Sequence, residues 1–166
     1  MKSAAYWIEK LHLKRHPEGG YFRETYTSAA KMDECCLRSG RAAPRPVSTA
    51  IYYLLEGTGF SALHRIKSDE IWHHYTGSSL TIHIIDMSGI YREVTLGKDP
   101  DKGETLQAVV PAGFWFGATV DSHSSYSLAG CTVAPGFEFL EFEMASRGEL
   151  IHLYPDHRRI IERLTH

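Results

Sequence analysis

The residues best suited to chemistry lie between His64 and Gly77, where the chain reads HRIKSDEIWHHYTG. Imidazoles and carboxylates packed this closely can pass protons near neutral pH or give lone pairs to a metal ion. The segment 70–76, EIWHHYT, suits a β-strand, and side chains two apart on a strand share a face. Glu70, Trp72, His74 and Thr76 then form one wall, a flat apolar platform beside titratable groups. Ile71, His73 and Tyr75 face the other way, so the adjacent histidines are not a chelating pair. A carboxylate facing an interior is costly unless it is partnered. His64 and Arg65 are the natural partners for Glu70.

Many short strands must position these groups. Runs 21–27, 48–55, 60–66, 70–76, 79–87, 91–97, 106–111, 114–120 and 126–135, with 137–143 as a further candidate, are separated by turns containing Gly, Pro or Asp. That spacing predicts an all-β sandwich or barrel rather than βαβ units. A short amphipathic helix is expected from Ser3 to Leu13, with Ser3 as its cap. His16-Pro-Glu-Gly-Gly20 reads as a turn, and 28–46 as a loop or flap. The chain ends in helix. Ser146 to Glu149 fits a capping box, Pro155 interrupts, and Ile160, Ile161 and Leu164 share a face. His83, between two isoleucines, is expected to face solvent, as are His12, His16, His152, His157 and His166.

The 166 residues predict one domain, 1–166. A net charge of -2 gives no basic excess for nucleic acid or anionic membrane. No apolar run reaches the ~20 residues needed to span a bilayer, and the N-terminus lacks the apolar core of a signal peptide. Cys35, Cys36 and Cys131 suggest neither a disulfide framework nor a CxxC metal site. A cytoplasmic protein with reduced thiols is the expectation.

The stretch around His64 resembles the first signature of the cupin superfamily. His64 matches its first histidine, Glu70 its glutamate and Gly77 its closing glycine. Pro111-Ala112-Gly113 matches the start of the second signature. Ile66 and Phe116 stand where two further histidines belong. Taken together, HPEGGYFRETY (16–26), STAIYYLL (48–55), FSALHRIKSDEIWHHYTG (60–77), VVPAGFWFGA (109–118) and SLAGCTVAPGFEFLEFE (127–143) are similar to the uncharacterised cupin_5 branch. The resemblance implies a double-stranded β-helix, that is, a jelly-roll barrel with short N- and C-terminal helices, commonly dimeric. Strand 21–26 is the edge where two copies could pair. In metal-bearing cupins three histidines and a glutamate bind the ion, and this chain keeps two of those four positions.

These readings place a small-molecule ligand in the barrel. His64 and Glu70 are the candidate catalytic pair, with Asp69 an alternative to Glu70. Trp72, His74, Trp115 and Arg23 are the candidate substrate-binding residues. By analogy with nucleotide-sugar epimerases, which share the barrel, the chemistry is metal-independent acid–base isomerisation of a sugar-like or carbonyl metabolite. One alternative is a non-catalytic binding module, with Arg23, Arg65 or Lys67 holding an anionic group. The other is a divalent-metal site that recruits His74 or His123. No cofactor is assigned.

Overall fold

The computed structural model describes residues 2–32 and 44–166. Cys35, Cys36 and most of the 28–46 loop lie outside the described residues. The chain opens with helix α1 (Ala4–Lys10), capped as expected by Ser3, whose Oγ accepts from the Tyr6 N–H. Strands follow in the order β1 (Lys14–Arg15), β2 (Tyr21–Thr27), β3 (Lys31–Met32), β4 (Arg45–Pro46), β5 (Thr49–Glu56), β6 (Phe60–Arg65) and β7 (Asp69–Gly77). Then come β8 (Leu80–Ile85), β9 (Tyr91–Leu96), β10 (Gln107–Val110), β11 (Trp115–Val120), β12 (Tyr126–Ala134) and β13 (Glu143–Met144). Helices α2 (Arg147–Leu153) and α3 (Arg158–Arg163) close the chain. Ser146 precedes α2, but among the described residues its side chain makes no capping bond. The 137–143 candidate strand is a 3-10 turn, Phe139–Glu141, running into β13.

Eleven of the described strands form two antiparallel sheets, β1-β2-β5-β12-β7-β10 and β13-β6-β11-β8-β9, the two-layer arrangement of a jelly roll, and β3 and β4 pair as a separate ribbon. Each strand turns alternate residues inward. Tyr53 and Leu55 of β5, Trp72 of β7, Ile82 and Ile84 of β8, and Phe116 and Ala118 of β11 meet in the main core. Each such Leu, Ile or Phe, fully buried, contributes about 1.5–3 kcal/mol. The outer face of the second sheet is covered by α2 and α3. There Leu150, Ile161 and Leu164 pack on Leu63, Ile85 and Trp115. Helix α1 covers part of the other sheet, where Trp7 Nε1–H donates to Tyr126 Oη at 2.8 Å.

His83 is the clearest departure from expectation outside the site. It does face away from Ile82 and Ile84, but the outer face at that point is covered, and it is 3% exposed. Its ring is satisfied by Tyr91 Oη at 2.7 Å and Thr119 Oγ1 at 2.9 Å. No described helix is long and apolar enough to cross a membrane.

Candidate functional site

One cavity opens between the sheets; a water-sized sphere can occupy about 70 Å3 of it, and with the open space at its mouth the void comes to about 630 Å3. Its titratable interior groups are His16, Glu18, Tyr53, His64, Glu70 and Cys131, with the Thr49 hydroxyl beside them. Phe22, Trp72, Phe137, Phe139 and Phe142 supply aromatic walls, and Glu24 sits at the rim.

His64 reaches the cavity through an irregularity in β6. Phe116 pairs with His64 and Ala118 with Ser61, so three steps on β6 oppose two on β11. This bulge brings Ser61 and His64 to the same interior although they are three residues apart. The bulge also holds the ring, because His64 Nδ1 donates to the Ala62 carbonyl at 2.8 Å. Nε2 is therefore the acceptor nitrogen, and it lies 3.1 Å from Glu18 Oε2. Burial depresses the imidazole to about 4, so the neutral ring dominates at neutral pH.

Glu18 comes from the turn between β1 and β2. Gly19 (φ 115°) and Gly20 (φ 68°) adopt backbone angles that favour glycine. A Cβ on Gly19 would collide with the Phe60 carbonyl oxygen, so glycine is what lets this turn press against β6. Main-chain bonds dock it there: Ala62 N–H donates to Glu18 O at 2.8 Å, and Tyr53 Oη–H to Gly19 O at 2.9 Å. The Glu18 side chain is buried, with Oε1 accepting from Ser61 Oγ–H at 2.9 Å and Oε2 lying 3.4 Å from His16 Nδ1. Burial pushes its carboxyl above the usual range. The raised carboxyl of Glu18 thus faces the acceptor nitrogen of His64 across 3.1 Å.

Glu70 lies on β7, whose inward residues pair with those of β12. Trp72 is opposite Cys131, and Glu70 is opposite Val133. Burial, together with the Glu18 charge, raises the Glu70 carboxyl to about 8, while the Cys131 hydrogen bond offsets part of that rise. Arg65 is not its partner. Arg65 pairs instead with Glu143 at the surface, at 2.8 and 3.0 Å.

Of the sequence candidates, His64, Glu70 and Trp72 line the cavity, whereas His74, Trp115 and Arg23 do not. His74 is buried on the expected side of β7 but further along the strand, with Nε2–H donating to Ser78 O at 3.2 Å. Trp115 points out of the second sheet, stacked under the Arg65 guanidinium at 4.4 Å, because its neighbour Phe116 takes the inward place. Arg23 alternates with Phe22 and Glu24, and those two face the cavity; the Arg23 guanidinium lies 5.6 Å from the Tyr52 ring outside. Asp69 is exposed and accepts from Ala112 N–H. His123 sits in an exposed loop. The expectation missed Glu18, which resembled an ordinary turn, and His16, which is half-buried and not solvated. The usable signal was an acid directly before two glycines, a place where backbone comes close to something.

The cavity mouth is strapped by 135–142. Arg45, 3% exposed, holds that strap from beneath. Its guanidinium donates to Glu141 Oε2 at 2.5 Å, to the Pro135 and Gly136 carbonyls, and to Ser68 Oγ at 3.0 Å.

Comparison with known proteins agrees with this architecture. The family model described as Cupin superfamily (DUF985) matches residues 5–145. A hypothetical protein from Leishmania major is 37% identical, with TM-score 0.92 over 99% of both chains. A Shewanella oneidensis protein of known structure is 36% identical, with TM-score 0.90 over 100% of this chain and 99% of its own. An uncharacterised Saccharomyces cerevisiae protein is 28% identical over 88% of this chain and 77% of its own. Oxalate decarboxylase from Bacillus subtilis, a protein with Mn(II) centres, shares the fold at 15% identity and TM-score 0.55, over 92% of this chain and 37% of that one.

The donor set here does not fit a cupin metal centre. Among the described residues no group of three or more His, Cys, Asp or Glu is placed to hold an ion. Ile66 lines the cavity and the Phe116 ring packs 4.1 Å from that of His64, so two ligand positions are hydrocarbon. From its motifs, its two-sheet fold and the match over residues 5–145, the chain belongs to the cupin superfamily, in the DUF985 (cupin_5) family.

Proposed function

We propose that the barrel takes up a small, largely apolar molecule and exchanges a proton with it through the Glu18–His64 pair and Glu70. One observation carries the reading. A buried imidazole held below its usual pKa and two buried carboxyls held above theirs share one aromatic-walled cavity. At neutral pH, His64 Nε2 is a free base and Glu70 is a neutral acid. An acid and a base in one dry pocket are the elements of general acid–base catalysis. The base removes a proton from carbon and the acid returns one from solvent, so no cofactor is needed for balance. Nothing in this set selects sugars, and the reading does not extend to an epimerase.

The test is ligand-observed NMR of a small-carbonyl library in D2O. Compounds that bind should incorporate deuterium at carbon, and His64→Gln should slow incorporation by about 10²–10⁴-fold while retaining binding. Binding without deuterium incorporation would leave only a binding module. Absence of binding would remove the reading altogether.

We also propose a homodimer formed along β2. Only the first two residues of β2, Tyr21 and Phe22, are paired with β1, and Tyr26 beyond them is 53% exposed. Light scattering should then give twice the 18.7 kDa chain mass, and Tyr26→Lys should return the monomer. A monomeric wild type would refute the pairing.

A further inference from the structure

We infer that the molecule this cavity takes is a small organic cation, an amine or quaternary ammonium on an apolar body, with an oxygen acceptor beside it. The inference rests on the uptake part of the pocket reading above and not on Glu70 acting as the acid, since Glu70 ionises when a cation binds.

Charge sign comes first. Glu18, Glu70 and, at the rim, Glu24 line the cavity, and among the described residues no Lys or Arg does. Arg23 and Arg65, which could have held an anion, are committed outside, to the Tyr52 ring and to Glu143. An anion entering here would meet carboxyls and no counter-charge, which is how a site rejects a ligand. A cation would meet carboxyls and ring faces together. Aromatic faces attract cations through the ring quadrupole, more strongly when water is excluded. Phe137, Phe139 and Phe142 form a contiguous wall, with ring centroids 5.0–6.2 Å apart.

The oxygen acceptor follows from a separate observation. Trp72 lines the cavity at 1% exposure, and its buried Nε1–H has no partner among the described residues. A buried donor left unmet is costly, so an unmet donor in a pocket wall marks a place for an acceptor on the ligand.

Protonation supplies the linkage. Glu70 is faced by His16 and Glu18 from the β1–β2 turn, Glu24 from β2, Tyr53 from β5, His64 from β6 and Cys131 from β12. None of these is a permanent cation, and both imidazoles are held below their usual value. An arriving ammonium would draw the proton off Glu70 and pair with the carboxylate. Cation affinity should therefore rise about tenfold per pH unit as pH increases toward 8 and level off above it.

Three probes with one ring, one ether oxygen and one length decide this: 2-phenoxyethylamine, 2-phenoxyethanol and phenoxyacetate, measured by titration calorimetry on the full chain. At pH 8 the amine should bind at least tenfold tighter than the alcohol, with phenoxyacetate weakest. At pH 7, buffers of different ionisation heat should report about one proton released per amine bound. Glu70→Gln should bring the amine down to the alcohol's affinity and abolish the proton release. If the alcohol or phenoxyacetate binds as tightly as the amine, the cation inference falls and the pocket reading stands. If none of the three binds, both fall.

Discussion

Replacing Glu70 by glutamine should make the protein more stable at pH 8 by about 4 kcal/mol and leave it unchanged at pH 4. The carboxyl moves from an ordinary 4.5 in the unfolded chain to about 8 in the fold. Between those values the folded state holds the proton and the unfolded state does not, so stability falls as pH rises. His64 works in the opposite sense. Its imidazole drops from 6.5 to about 4, so its contribution is complete above 6.5 and is lost as pH falls toward 4. From 4.5 to 6.5 the two slopes cancel. Above 6.5 the Glu70 slope is no longer offset by that of His64 and should by itself cost the wild type about 2 kcal/mol by pH 8. Glutamine keeps the shape and cannot ionise, so that alkaline decline should vanish. Urea unfolding followed by circular dichroism at pH 4, 6.5 and 8 checks this. A glutamine variant less stable than wild type at pH 8 would mean that Glu70 is an ionised, well-partnered carboxylate, contrary to the environment described above.

Arg45→Met should destabilise the fold by about 3–5 kcal/mol. The substitution takes the guanidinium away from the buried Glu141 carboxylate and from the Pro135 and Gly136 carbonyls. Lysine should not rescue it, because one ammonium cannot reproduce a planar fork reaching Glu141, Gly136 and Ser68 together. The double variant Arg45→Met/Glu141→Leu should recover most of the loss, since an apolar pair removes the buried carboxylate together with its guanidinium. Denaturant midpoints of the wild type and the three variants measure this. A single Arg45→Met variant at wild-type stability would show that the network contributes nothing net. The effect should extend to the pocket, because the same strap carries Phe137, Phe139 and Phe142.

Strand order and inward residues were legible wherever the chain alternates cleanly. The expected face of β7 is the observed one for Glu70, Trp72 and His74, because period-two alternation needs no tertiary knowledge. It ends at the irregularity between His74 and Thr76, where β12 runs from Ala129 to Leu128 in a single step. Arg23 and Trp115 were misplaced for a related reason. Each was chosen for its chemistry, although its own neighbours, Phe22 with Glu24 and Phe116, held the inward positions. What alternation could not reveal was any group delivered by irregular backbone. Glu18 arrives on a glycine turn, and Ser61 joins His64 only through a bulge. Both depend on long-range docking of β6 that no local pattern encodes. The burial of His83 was hidden in the same way, because whether an outward side chain meets water depends on neighbours brought in from other strands, here Tyr91 and Thr119.

The unmet indole of Trp72 has an optical consequence. The chain contains three tryptophans. Trp7 is tied to Tyr126 and Trp115 is capped by Arg65, both away from the cavity. Only Trp72 has an excited state that a guest would touch directly. Its emission responds to what sits beside the ring and to whether the N–H is engaged. The barrel thus carries a native fluorophore at its own binding wall, and occupancy can be read by eye of the spectrometer, without a label and without knowing the guest in advance.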